Sequence, residues 1–189
     1  VSTFLDLLSR ARDEHQAISV YADESEPNKY EVGFVESFDH RQLILRALTP
    51  RGESDGRHLI KIQDIHRIDT QTAYAARLML LNEYRDIVFN EESHVVGAPD
   101  DMAGILGLAK ELGHVVSLLD AEGYGPSGFV REIAADFVEL QRLNSKGMPD
   151  GIAVLRLDAI DRITVNTRDE QVLAFLYRYH FEWERKLES

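Results

Sequence analysis

Seven histidines (His15, His40, His58, His66, His94, His114 and His180) and the absence of cysteine bound the chemistry open to this chain. Without thiols there is no disulfide, no thiolate nucleophile and no cysteine-bound metal, which fits a reducing compartment. No histidine belongs to a His-Glu-x-x-His pair or another recognised metal spacing. His58 and His66, with Asp64 nearby, are placed to meet across adjacent strands as a carboxylate–imidazole cluster. A metal-dependent hydrolase there is the most reactive reading; isolated histidines are the plainer one. The acidic pairs Asp23-Glu24, Glu91-Glu92 and Asp100-Asp101 fall in polar loops or at a helix start. Carboxylates there stay solvated instead of acquiring the raised pKa that acid–base work needs. Gly123-Tyr124-Gly125-Pro126-Ser127-Gly128 lacks the Lys-Ser/Thr ending of a phosphate loop and leads into a strand. The expectation is therefore a protein that is not an enzyme, with no cofactor and no metal.

Charge constrains partners more firmly. The formal charge is −12 at pH 7, and such a field opposes a polyanion, since nucleic-acid affinity comes largely from cations that displace counterions. Against that background Arg41, Arg46, Arg51, Arg57, Lys61 and Arg67 cluster in one stretch. They form either a local basic face for an anionic partner or the solvent side of alternating strands. The tail from Tyr177 to Trp183 is rich in aromatics, expected mostly as packing with an exposed remnant for a partner. No apolar run approaches the roughly 20 residues of a membrane span, and no signal-peptide pattern is present, so a cytoplasmic location is expected.

The elements that must position these residues are written twice. Shifted by 95, the stretch from Gly33 to Ile68 returns without a gap as Gly128 to Ile163, with eleven of thirty-six positions identical. Leu45/Leu140, Leu48/Leu143, Gly52/Gly147 and Asp55-Gly56/Asp150-Gly151 are among them. A fixed period of this kind reads as two copies of one domain. The expected division is 1–87, a linker at 88–98, and 99–189.

Each copy reads as helix, five short strands, helix. In the first, Ser2 caps a helix whose Phe4, Leu5, Leu8 and Ala11 share a stripe. Strands follow at 17–21, about 30–38, 43–48, 58–62 and 65–69. Asp55-Gly56 is the expected tight hairpin turn, Gln63-Asp64 a one-turn step, and 72–86 a helix with Tyr74, Leu78 and Leu81 on one face. In the second, a helix opens on Pro99-Asp100-Asp101 and ends at Gly113. A strand spans 114–119, and the core runs from 128 to 164. Thr167 to Glu170 forms a capping box before a helix carrying Val172, Leu176, Tyr179 and Trp183. Short strands with a glycine at the start of the second suggest small barrels.

Gly33-Phe34-Val35-Glu36-Ser37-Phe38-Asp39, followed by Leu43-Ile44-Leu45, resembles the second- and third-strand motif of Hfq-type Sm-like proteins. The resemblance covers about forty residues and implies an α+β, mostly β architecture. Two tandem five-stranded, strongly bent Sm-like (SH3-like) barrels are expected, each flanked by helices. It implies that Gly33 permits the bend, that Asp39 orders the next turn, and that Ile65 opens the last strand. Gly33, Asp39, Gly56, Gly128 and Gly151 are the structural motif. Ala134 stands where Asp39 does in the second copy. The family's base-stacking aromatic is replaced by Arg41, and its basic pair before the last strand by Ile62-Gln63 or Gln63-Asp64 in the first copy and by Leu157-Asp158 in the second, so the uridine-rich RNA site does not carry over. The expected role is a non-catalytic binding or assembly module, self-associating or holding a protein partner through strand edges. The alternative is an RNA-binding regulator using Arg41, Arg46, Arg57, Lys61 and Arg67.

Overall fold

The computed structural model describes residues 3–89, 99 and 101–187, with the backbone alone for 182–187. Its contacts divide the chain into two units, Val1–Arg85 and Asp86–Ser189. Of the expected linker at 88–98, only Val88 and Phe89 fall among the described residues.

In the first unit, helix α1 (Phe4–Asp13) is started by Thr3. Its hydroxyl accepts the Asp6 N–H while the Asp6 carboxylate accepts the Thr3 N–H. This reciprocal capping box satisfies two donors that helix starts leave unpaired. It does the work expected of Ser2, which lies outside the described residues. Leu8 and Ala11 are buried, whereas Phe4 and Leu5 stay exposed, so the inward stripe is narrower than its periodicity suggests.

Strands β1 (Ala17–Tyr21), β2 (Glu31–Phe38), β3 (Gln42–Leu48), β4 (Ser54–Lys61) and β5 (Arg67–Thr70) form one antiparallel sheet in the order β4-β3-β2-β1-β5. A one-turn helix, Ile62–Asp64, separates β4 from β5. Helix α2 (Ala73–Glu83) follows, capped by Thr72; the short α3 (Arg85–Val88) spans the division between the units. Leu8 of α1 shares a core with Ile18, Val20, Val35, Leu45 and Ile60. One face of four successive strands thus closes over the same helix, which requires the sheet to curl. Gly33 permits the curl: a Cβ there would lie 2.3 Å from the Arg46 carbonyl oxygen. A bulge at Glu36, between the pairs at Val35 and Ser37, adds twist beside it. All five residues of β1 are buried. Ile18 and Val20 face the core, and on the other side the Ala17 N–H donates to Met79 Sδ of α2 at 3.3 Å.

The second unit has helix α4 (Met102–Leu112), strands β6 (Val115–Leu119), β7 (Ser127–Ile133), β8 (Phe137–Leu143), β9 (Pro149–Arg156) and β10 (Arg162–Val165), and helix α5 (Arg168–Leu187). Its sheet order, β10-β6-β7-β8-β9, is that of the first unit read from the other end. Ile18 pairs with Gly33 and Val116 with Gly128. The offset is therefore 98 before the β1–β2 loop and 95 after it, so the connection between these paired positions is three residues shorter in the second unit.

Four expectations are corrected. The sheets are open and not closed barrels: among the described residues β4 and β5 pair only with β3 and β1, and the same holds for β9 and β10. Closure would need a β4–β5 ladder, but the one-turn helix delivers β5 to the free edge of β1. Asp55-Gly56 is not the hairpin turn. The chain reverses earlier, at Thr49 to Glu53, where Gly52 takes a φ of 77° and its N–H donates to the Thr49 carbonyl. Asp55 and Gly56 lie inside β4, which therefore starts at Ser54 and not at 58. Between the pairs Leu48–Ser54 and Arg46–Arg57 these two residues oppose Ala47 alone. The φ of 90° at Gly56 belongs to this bulge, and Gly151 repeats it at 80°. Helix α4 begins after Asp101, whose carboxylate accepts the Gly104 N–H at 2.6 Å. Pro99 lies before it, against Gly104. Finally, the 72–86 helix is broken after Glu83 into α2 and α3. Gly113 does end α4, in the left-handed conformation at φ 63°. No helix among the described residues is long and apolar enough to cross a membrane.

Candidate functional site

The first unit carries a pocket of about 270 Å³ between β2, β3, β4 and α2. Strand alternation explains it. Glu31 and Gly33 fall on the same face of β2, and Gly33 is opposite Ala47 of β3. Two small residues side by side leave room that larger ones would fill. His58 enters from β4, Asp55 from its bulge, Pro50 from the preceding turn, and Tyr30 and Tyr74 from the loop and from α2. The two phenol rings meet edge to face, 6.1 Å apart at 86°.

His58 Nδ1 lies 2.6 Å from Glu31 Oε2. That hydrogen bond holds the imidazole pKa above its ordinary value against partial burial, with the Glu31 charge and Asp55 assisting. Burial raises the Tyr74 phenol, with the nearby Tyr30 adding to it and Arg77 opposing.

The five basic residues separate into a group and an outlier. Arg46 and Arg57 are direct cross-strand partners, and Lys61 pairs with Gln42 beside Arg41. Leu43 and Leu45 point into the core, so Arg46, Arg57 and Lys61 share the opposite face. Arg57 is held by Glu36 at 2.7 Å, Arg46 lies 4.8 Å above the Phe34 ring, and Arg41 bonds His40. Arg67 is on β5, at the other end of the sheet order. It pairs with Asp69 at 2.6 Å and covers the Tyr21 ring at 4.5 Å.

His58 and His66 are not joined through Asp64. His58 is taken by Glu31, while the His66 ring approaches Tyr21 at 6.3 Å and the Pro27 carbonyl at 3.5 Å. Among the described residues no three metal-ligating side chains gather. Asp39 accepts the Arg41 and Gln42 N–H groups at 2.7 and 2.9 Å, which lowers its carboxyl pKa. In the aromatic tail, Tyr177 packs on Phe129 at 4.9 Å and Phe181 is exposed; the Trp183 side chain lies outside the described residues.

Sequence reasoning overlooked Tyr30, Glu31 and Ala47 as site residues, and took Tyr74 and Asp55 as packing and turn. The signal was a difference between the halves. At the corresponding places of the second unit stand Gly125, Pro126, Arg142, Asp169 and Asp150, with Ala153 for His58. In comparisons with known proteins, no family model, no curated protein and no solved structure matches the chain.

Proposed function

We propose that the chain is a non-catalytic binding and assembly module built from two Sm-like units, acting through strand edges. One observation carries the reading: each unit has the order fourth-third-second-first-fifth strand, with the fourth and fifth as unpaired ends. The leading helix, the one-turn step before the fifth strand and the Asp39 turn support the Sm-like part. An unpaired edge is a template for another strand, and these edges lack the usual protection at one matched position. Leu59 on β4 and Val154 on β9 are 61% and 62% exposed. An aliphatic side chain that open on an edge strand favours pairing with another strand over solvation.

Hydrogen exchange of the β4 and β9 amides in the full chain tests this. Protection of the outward-facing amides is expected, together with faster exchange in Leu59→Lys and Val154→Lys. Concentration dependence would assign the pairing to separate chains, and unprotected edges at every concentration would sink it. The second reading, RNA binding of the Hfq type, draws on the run Arg41, Lys61, Arg57 and Arg46. Glu36 offsets part of that charge. Fluorescence anisotropy with short U-rich and A-rich RNA separates the two: steeply salt-dependent binding favours RNA, and none at low salt removes it.

A further inference from the structure

The second unit shows what the first unit's pocket is missing. Ala47 and Arg142 occupy corresponding places, since Gly33 pairs with Ala47 and Gly128 with Arg142. Asp55 and Asp150 correspond likewise, each the residue before the left-handed glycine of the bulge. In the second unit, the Arg142 guanidinium lies 3.0 Å from the Asp150 carboxylate. The chain supplies its own cation there. In the first unit the arginine is gone: Ala47 ends at a methyl group, Asp55 is exposed with its charge acting on the neighbouring His58, and a pocket of about 270 Å³ stands beside it. Glu31, the other carboxylate of the pocket, is bonded to His58, which leaves Asp55 as the acceptor for a newcomer.

The walls select among cations. Tyr30 and Tyr74 line the pocket at right angles to one another, and neither has a counterpart in the second unit, where Gly125 and Asp169 stand. Aromatic faces attract cations, and a planar guanidinium both stacks on a ring and bonds a carboxylate through two parallel N–H groups. An ammonium lies over a ring only as a point charge and bonds a carboxylate without the matched pair of N–H groups. The pocket is slightly below the usual range for drug-sized ligands, which suits one side-chain-sized group. Val32, Leu48 and Pro50 give the aliphatic stem an apolar wall.

We propose that the pocket of the first unit binds a guanidinium group from outside the unit, placed against Tyr30 and Tyr74 with Asp55 as its carboxylate partner. It takes the place that Arg142 fills in the second unit. The site uses side chains of β4, whereas the assembly reading uses that strand's outer backbone edge, so the two are tested by different measurements.

The test is an NMR titration of the full chain with Nα-acetyl-arginine methylamide and with agmatine, using Nα-acetyl-citrulline methylamide as the uncharged match. Saturable shifts of the Tyr30, Asp55 and Tyr74 signals with both guanidinium probes, and not with citrulline, are expected. Tighter binding of the acetyl-arginine probe assigns the ligand to an arginine of a polypeptide; tighter agmatine binding assigns it to a free small guanidine. Ala47→Arg, which rebuilds the second unit's arrangement, and Asp55→Asn should each weaken binding at least about tenfold, the scale of one charge-assisted hydrogen bond. If Ala47→Arg disturbs folding, the exposed Asp55 position decides alone. Equal binding of the citrulline probe, affinity unchanged in Asp55→Asn, or no saturable shift would overturn the proposal. Amide protection of β4 is measured on the unsubstituted chain without probe, so the two proposals fail separately.

Discussion

The two units place their carboxylates in opposite settings on the same framework. In the second unit Glu170, at the start of α5, is 2% exposed. It accepts hydrogen bonds from the Ser117 and Thr164 hydroxyls at 2.6 Å each, from the Thr167 N–H at 2.7 Å, and from the Thr167 hydroxyl. The Glu half of the expected capping box therefore reaches past its own helix and ties β6 and β10 to it. At the corresponding place the first unit has Ala75, and a carboxylate appears instead on the strand, as Asp69 in the position of Thr164. Asp69 turns to Arg67 and to the buried Tyr21. One unit uses its polar groups to lock helix to sheet. The other keeps them for an open pocket and for surface pairs. The lesson is that a shared backbone leaves side chains free to diverge wherever the backbone's own hydrogen bonds do not depend on them.

Three changes break or sharpen this comparison, each read by native-state hydrogen exchange, which reports the two units separately. The largest effect belongs to what the units share. Gly33→Ala and Gly128→Ala put a Cβ 2.3 Å and 2.0 Å from the carbonyl oxygen of the next strand. Each should destabilise its own unit by about 3 kcal/mol or more. A loss in one unit and not the other would end the equivalence of the two bends.

The next effect belongs to what differs. Glu170→Ala leaves buried hydroxyls without their acceptor, so the second unit should lose about 2–3 kcal/mol. Glu170→Gln should recover part of this, and the first unit should not respond. An equal response of both units would show that the network is not private to the second.

The smallest effect is a pH dependence. The His58 pKa is raised in the folded chain by Glu31, so the pair's contribution is fully present below the unfolded value of about 6.5. It disappears as pH rises through the folded value. Because His58 is partly exposed, the loss should stay below about 1 kcal/mol, appear only in the first unit, and vanish in His58→Gln. The His58 imidazole shift, followed by NMR against pH, would contradict this if it titrated at or below the ordinary histidine value.

Much of the backbone was legible from particular residues. Leu43, Leu45 and Ile60 mark strands by alternation, Gly113 marks the end of α4, and Gly33 with Gly128 marks places where a Cβ would run into the next strand. Local signals misled where two structures share one dipeptide. Asp55-Gly56 demands a positive φ, and both a tight turn and a bulge supply it; only the pairing of β3 with β4 selected the bulge. The basic cluster was legible as a cluster, but not its splitting, since Arg67 and Arg57 are ten residues apart on strands at opposite ends of the sheet. The pocket was not legible at all from one copy, because Glu31 and His58 are separated by 27 residues.

By itself the sequence determined what depends on near neighbours: the period-two strands, the helix caps, the left-handed glycines and the recurrence, after 95 residues, of the stretch from Gly33 to Ile68. Backbone dihedrals and alternation are properties of a few consecutive residues, so they can be read in order. Only the tertiary structure decided which side chains share space. It left the sheets open, gave Glu31 to His58, and set Arg142 on Asp150 while Ala47 left a pocket beside Asp55. Such meetings depend on strand register and helix placement, where a displacement of one residue moves every side chain to the other face.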